Sequence, residues 1–343
     1  IIFSYNKKYN GMIMKKRFPN TRLRRLRSSA EIRNLVRENR LSAHDLIQPI
    51  FIVEGKNITQ KIASMPDICR FSIDKAVSEV KKIKNLGIQA IALFPSISNK
   101  LKSSDGGESF NPEGLVQRAI REIKKRVEGV LIISDVALDP YTSHGQDGVI
   151  SKSGKILNDE TVEILVQQAL SHAEAGADII APSDMMDGRV KKIRETLEKK
   201  SLKDTMILAY TAKYSSNFYG PFRDAVGSSK NLGSNNKDTY QMDYANTRDA
   251  LNEVQLDISE GADIVMVKPA MPYLDIISKI NDKFNIPVFA YQVSGEYSMI
   301  KSVSSKKWLD EKKVVIESLS CIKRSGASAI LTYFAKDAAK WLK

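Results

Sequence analysis

The chain reads as an α/β protein folded into a closed (β/α)8 TIM barrel with an N-terminal extended and helical arm, and three observations predict it. An amphipathic helix, a glycine and a short apolar strand follow one another four times along the sequence. The strands are near-continuous apolar runs rather than alternating ones, as in a parallel sheet buried on both faces. Strand and helix alternate through eight units within 343 residues, a length that suits closure into a barrel.

The four copies run from Lys82–Gly87 into Ile88–Phe94, His172–Gly176 into Asp178–Ala181, Ile258–Gly261 into Asp263–Val267, and Ile322–Gly326 into Ala329–Tyr333. Each glycine falls where a helix must stop, and glycine adopts the left-handed cap without strain. Leu46–Val53, Val130–Ser134, Met206–Tyr210 and Pro287–Tyr291 supply the other strands. Helix starts lie between them. Ser28 and Glu31 have capping-box spacing. Asn111-Pro112-Glu113 sets a cap before a proline at the first helical position. Asn158-Asp159-Glu160 opens a helix through Ala175, and Asp310-Glu311 opens one through Arg324. Residues 1–40 are assigned to an arm that makes oligomer contacts, and 41–343 to the catalytic barrel. An open doubly wound sheet is the alternative, but no G-x-G-x-x-G follows the first strand, which weakens a dinucleotide-binding reading.

Composition narrows the function classes. Hydrophobic residues make up 42% and charged residues 27%, ordinary values for a soluble globular protein. No apolar run approaches the roughly 20 residues of a membrane span, so no membrane partner is expected. Cys69 and Cys321 are too few for a disulfide framework and lack CxxC spacing; a reducing, cytoplasmic location fits. Ile1–Phe18 carries lysines but no long apolar core of a signal peptide; Met12 and Met14 are candidate starts, and a basic organelle-targeting segment is the alternative. The net charge is +13. Its only dense basic run is Arg22, Arg24, Arg25 and Arg27; elsewhere lysines such as Lys81, Lys82, Lys84, Lys191 and Lys192 are scattered over helices. A nucleic-acid binder would gather that charge with interleaved aromatics, so solvated helix faces that draw in anionic substrates are the preferred reading.

Barrel chemistry sits at the C-terminal strand ends, and the residues there are polar. Successive runs end in Ser134-Asp135, Ser183-Asp184, Tyr210 through Lys213, Val267-Lys268, Tyr291 through Glu296, and Thr332-Tyr333-Phe334. One strand-end lysine is ordinarily just solvated. Two on neighbouring strands, about 4.8 Å apart, repel each other, and partial burial penalises their charge further, so at least one pKa falls. A neutral amine attacks carbonyls to form Schiff bases. The long polar segment at about 220–241 looks like a lid; Arg223, Lys237 and Gln241 within it could meet a carboxylate, the arginine bidentately. A solvated loop is the alternative. The stretch from Asp135 through Asp139, His144 and Asp147 gathers oxygen donors that suit Mg2+ or another hard cation and offers no cysteine for zinc; turn chemistry is the alternative. His44 and His172 receive no role.

Six segments together resemble the porphobilinogen synthase (5-aminolevulinate dehydratase) family over nearly the whole chain: Tyr141–Gly145, Ala181–Gly188, Phe218–Arg223, Met266–Pro269, Tyr291–Tyr297 and Leu331–Ala335. The resemblance implies a (β/α)8 barrel whose arm embraces a neighbour within a homo-octamer. It implies a lyase that joins two 5-aminolevulinates and expels two waters, giving porphobilinogen for tetrapyrrole and heme synthesis. By position, Lys268 holds the substrate that supplies the propionate side, with Ser294 and Tyr333 on its carboxylate. Lys213 holds the substrate that supplies the acetate side, with Arg223, Lys237 and Gln241 on the second carboxylate. Tyr291, Phe222, Ser183 and Asp135 complete the substrate-binding set, and Asp135, Asp139 and Tyr214 are the proton-transfer candidates. Zinc-dependent members carry three cysteines where this chain has Ala137, Asp139 and Asp147, so catalytic zinc is not expected. The chain resembles the aspartate-rich, magnesium-responsive branch, in which an allosteric Mg2+ binds through Glu253 and waters with Asp184 nearby. Asp139 and Asp147 either hold an active-site cation, a monovalent one included, or only position substrate.

Two readings from other classes compete. A Schiff-base aldolase on the same barrel would need one lysine and phosphate-binding glycines after strands seven and eight, but Tyr291–Tyr297 has a single glycine. A basic RNA-binding protein rests on Arg22–Arg27 alone. The lysine pair also argues against an inactive, assembly-only homologue.

Overall fold

The computed structural model describes residues 18–227 and 236–343. The expectations for residues 1–17 and for the middle of the lid, 228–235, lie outside them. The chain divides into two units, residues 1–40 and 41–343. In the first, a 3-10 turn at Leu23–Arg27 precedes helix α1, Ala30–Leu35. The expected cap shifts by one residue: Ser29 Oγ accepts the Ile32 amide at 3.3 Å, while the Ser28 hydroxyl donates to the Arg25 carbonyl at 2.8 Å and so belongs to the preceding turn.

In the second unit, eight parallel strands close into a barrel. They are β1 (Leu46–Val53), β4 (Ala90–Ser96), β5 (Leu131–Val136), β6 (Ile179–Pro182), β7 (Met206–Lys213), β8 (Ile264–Lys268), β9 (Val288–Gln292) and β10 (Ala329–Thr332). Each pairs with the next in that order, and β10 returns to β1 with Leu46 opposite Ile330. Two short strands that the apolar pattern misses, β2 (Thr59–Lys61) and β3 (Cys69–Phe71), form an antiparallel pair whose β3 docks beside β1.

Helices cross over between the barrel strands: α2 (Ile73–Asn85), α3 (Leu115–Arg126), α4 (Asn158–Glu174), α5 (Arg189–Lys199), α6 (Gly220–Val226), α7 (Arg248–Ser259), α8 (Leu274–Lys283), α9 (Ser294–Ser305) and α10 (Glu311–Arg324); α11 (Ala335–Trp341) follows the last strand. The four helix-ending glycines hold φ of +91°, +104°, +104° and +110° at 87, 176, 261 and 326. Asp310 caps α10 through the Lys313 amide, and α4 opens at Asn158 as its acidic first turn predicts. The expected start of α3 is three residues early. Asn111 Oδ1 accepts the Glu113 amide and the Asn111 carbonyl accepts that of Gly114, so this stretch is a turn and the helix begins at Leu115.

The strands are buried almost throughout. Helix α3 shows how the outer layer attaches: Leu115, Val116, Ala119, Ile120 and Ile123 form one buried stripe. No helix among the described residues is long and apolar enough to cross a membrane.

Candidate active site

Strand pairing brings the two lysines together. Lys213 and Lys268 are the last residues of β7 and β8 and lie directly opposite each other in the register. Both side chains are buried.

Lys268 is ringed by aromatic side chains. Its Nζ lies 5.1 Å from the ring centres of Tyr210 and Tyr219, 5.2 Å from Phe222 and 4.8 Å from Tyr291. Burial first, and then the Lys213 charge, push its pKa down to about 7, against the opposing pull of Asp135, Asp139 and Asp147. Asp135, at the end of β5, is pushed up to about 7 by burial, with the two lysines opposing. Burial thus disfavours the charged form of both the amine and the carboxyl. Lys213 donates to the Ser183 carbonyl just beyond β6 and lies 3.8 Å from Asp147 Oδ2.

Lys237 Nζ sits between Asp139 Oδ2 at 3.2 Å and Asp147 Oδ1 at 3.1 Å. Burial lowers the Lys237 pKa, but the two carboxylates outweigh it and leave it raised. Asp147 is held below the usual range by Lys237 and Lys213 despite burial, whereas Asp139 is raised, by burial first. The Lys237 ammonium group lies between the two aspartates expected either to hold a cation or to position substrate. Among the described residues no three His, Cys, Asp or Glu side chains gather to hold a metal. Lys237, expected on a substrate carboxylate, is engaged by Asp139 and Asp147.

The residues expected on the carboxylate near Lys268 come from β9, the end of β10 and the start of α9. Tyr291 and Tyr333 share a hydroxyl hydrogen bond of 2.8 Å, and Tyr333 stacks on Phe51. The Ser294 hydroxyl accepts the Phe222 amide at 2.9 Å and donates to the Phe218 carbonyl at 3.3 Å. Arg223 is half-buried on α6. Gln241 is buried, and its Oε1 finds no hydrogen-bond partner among the described residues.

Two aromatic residues need restating. Tyr214 loses its place as a proton-transfer candidate: its ring stacks on Tyr273 at 4.2 Å, and its hydroxyl donates to the Asn246 carbonyl at 3.0 Å. Tyr210, which was not singled out, packs against Lys268 with its hydroxyl buried and unpartnered among the described residues. The strand alternation that could reveal it is interrupted by a register shift between Ala209 and Ala212.

Glu253 and Asp184 lie in a separate cluster. Asp184 is pushed up to about 6 by burial, against the pull of Arg189; its Oδ1 accepts the Met186 amide at 2.7 Å and its Oδ2 is 3.6 Å from Arg189 Nε. The buried Arg189 also lies 3.4 Å from Asp257 Oδ2. Glu253 on α7 lines an open cleft of about 760 Å3 with Asp187, Asp243 and Asp249. Its carboxyl is pushed up to about 7, by burial first and then by Asp257, Asp187 and Asp249.

Residues 20–341 match the family model described as delta-aminolevulinic acid dehydratase. The chain is 55% identical to the delta-aminolevulinic acid dehydratase of Bradyrhizobium diazoefficiens over 94% of its own length and 91% of the relative's. It is 51% identical to that of Methanothermus sociabilis over 94% and 98%. A crystal structure of delta-aminolevulinic acid dehydratase (porphobilinogen synthase) from Toxoplasma gondii ME49, in complex with the reaction product porphobilinogen, superposes with a TM-score of 0.92 at 49% identity, covering 94% of this chain and 91% of that one.

Proposed function

The chain belongs to the delta-aminolevulinic acid dehydratase family, and from that premise we propose that it condenses two molecules of 5-aminolevulinate into porphobilinogen, with loss of two waters, through Schiff bases on Lys213 and Lys268. The observation that carries the reading is the opposition of two buried lysines at the ends of β7 and β8. Lys268, its pKa lowered to about 7 because it is dehydrated and faces a second amine, attacks the ketone of the first substrate as the neutral amine; Lys213 takes the second. Each Schiff base releases one water as it forms. An enamine on one substrate then makes the carbon–carbon bond, the free amino group of the other closes the ring, and both lysines return as amines. Asp135, whose carboxyl burial pushes up to about 7, takes up and returns protons between these steps. Ser294 and Tyr333 receive the carboxylate of the substrate on Lys268. Arg223, Lys237 and Gln241 receive the other, Lys237 turning from its aspartates to do so. Burial of Lys213 and Lys268 excludes water from the intermediates.

The Glu253 cleft fits an allosteric Mg2+. Burial first, and then neighbouring carboxylates, raise the Glu253 carboxyl, and Asp184 Oδ2 is buried without a hydrogen-bond partner among the described residues. Mg2+ commonly binds through one or two carboxylates while keeping several waters. Glu253 would hold the ion with Asp184 nearby, and its charge would favour the assembled state rather than take part in the reaction. The donor set around Lys213, free of cysteine and closed by Lys237, does not fit zinc. A homo-octamer in the cytoplasm, acting early in tetrapyrrole and heme synthesis, completes the proposal.

Pyrrole formation from 5-aminolevulinate, read as colour with an acidic aldehyde reagent, tests the activity with chelator alone, then with Mg2+ or Zn2+ restored. We expect turnover that rises with Mg2+ and ignores Zn2+. Lys268→Met should lower turnover by at least about a thousandfold, since it removes the nucleophile itself; near-normal turnover in the folded variant would overturn the Schiff-base assignment.

A further inference from the structure

Glu296 is a buried carboxylate at the open end of the barrel to which the reaction scheme gives no task. It is the third residue of α9, and its Oε2 accepts the Val293 amide at 2.5 Å, which closes the first turn of that helix. A helix cap needs no more than this. The same carboxylate also reaches the exit of the neighbouring strand β8: Oε1 accepts the Met271 amide at 2.6 Å, and Oε2 the Ala270 amide at 3.4 Å.

The residues so joined frame the first substrate's site. Ala270 and Met271 follow Lys268 after one proline, and Val293 precedes Ser294. Other contacts complete the frame. Tyr219 Oη donates to the Lys268 carbonyl at 3.1 Å, and the Ser294 hydroxyl bridges Phe218 and Phe222. At Gly295, an added Cβ would lie 2.5 Å from the Phe218 carbonyl oxygen, so α9 and the segment after β7 meet backbone to backbone. Burial pushes the Glu296 carboxyl up to about 7, with only the three backbone amides opposing. The charges that act most strongly on the Lys268 amine are those of Lys213, Asp135, Asp139 and Asp147. Glu296 holds the backbone amides two and three residues beyond Lys268, so its grip on that residue runs through backbone position, and hydrogen bonds to a carboxylate are among the stronger ones available for the purpose.

We propose that Glu296 is a positioning residue that fixes the segment carrying Lys268 against the loop carrying Ser294, so that ketone and carboxylate of the first substrate are met in one register. This deepens the Schiff-base reading and rests on it. Glu296→Gln keeps one acceptor oxygen but turns an amide NH2 toward backbone donors. Borohydride trapping of 5-aminolevulinate, with the labelled lysine located by mass spectrometry, should show trapping at Lys268 weakened by about tenfold through a raised half-saturating concentration, with Lys213 changed by less than about twofold. KM should rise by more than kcat falls. Equal losses at both lysines, or a lowered Tm with normal trapping at Lys268, would reduce Glu296 to a structural cap and overturn the proposal.

Should the variant not fold, native-state hydrogen exchange on the unaltered protein decides the question. The Met271 and Val293 amides should exchange through one common opening with one denaturant dependence; independent openings overturn the coupling. Unaltered protein that traps 5-aminolevulinate at neither lysine would instead overturn the Schiff-base reading, a result separate from the exchange measurement.

Discussion

A lysine becomes a nucleophile at neutral pH only if its surroundings make the ammonium form costly. At Lys268 they do so through burial among four aromatic rings and through the facing Lys213, with Asp135 the first opposing charge. The sign of the pH dependence follows. With its pKa lowered to about 7, Lys268 is mostly protonated below that pH and mostly neutral above it. Single-turnover trapping at Lys268 should therefore rise with pH and level off above about 7. Asp135→Asn removes a carboxylate that favours the ammonium form, so the midpoint should move to lower pH by about one unit. An upward shift would mean that Asp135 is not the partner of that amine. At this scale Lys213 and Lys268 were legible because each ends an apolar run with a charge. Tyr210 was not, because an irregularity within β7 breaks the alternation on which such a reading depends.

The elements carry the site by meeting at few, close points. The N-terminus of α9 approaches Phe218 so tightly that only a glycine fits at 295. Gly295→Ala should push the two backbones apart and lower stability by about 1–3 kcal/mol, the range for overpacking, as read from the denaturant midpoint. It should also raise KM by disturbing the Ser294 contacts; an unchanged KM in a stable variant would show that this approach is not needed for binding. Helix ends were legible where local chemistry alone decides them, as at Gly176, Gly326 and Asp310. The start of α3 was not, because Asn111 can cap a turn as readily as a helix, and the packing of Leu115 and Val116 decides between them. The β2–β3 pair was missed for a related reason: three-residue strands, one of them exposed throughout, leave no apolar pattern.

Across the whole molecule, the Arg189 cluster lies outside the lysine pair but buries several charges at once. Arg189 stands between Asp184 and Asp257 with almost no solvent contact. Arg189→Met leaves both carboxylates buried without that cation and should cost about 3–5 kcal/mol, measured as a lower midpoint of chemical denaturation; a loss under about 1 kcal/mol would mean that the carboxyls become neutral at little cost. If Mg2+ acts as proposed, Glu253→Ala should weaken the Mg2+ response in size and activity while both lysines still trap 5-aminolevulinate. Sizing with and without Mg2+ checks this, and an intact response would place the ion elsewhere.

By itself the sequence determined the barrel, its strand order of appearance and the two lysines, since apolar runs, helix-ending glycines and strand-end charges are properties of neighbouring residues. Only the tertiary structure decided that Lys213 and Lys268 stand opposite each other in register, that Lys237 fills the space between Asp139 and Asp147, that Tyr214 turns away to Asn246, and that Glu296 joins two loops. Each of these depends on groups far apart in the chain meeting in a dry interior, where burial and charge act together and neither can be read from local order.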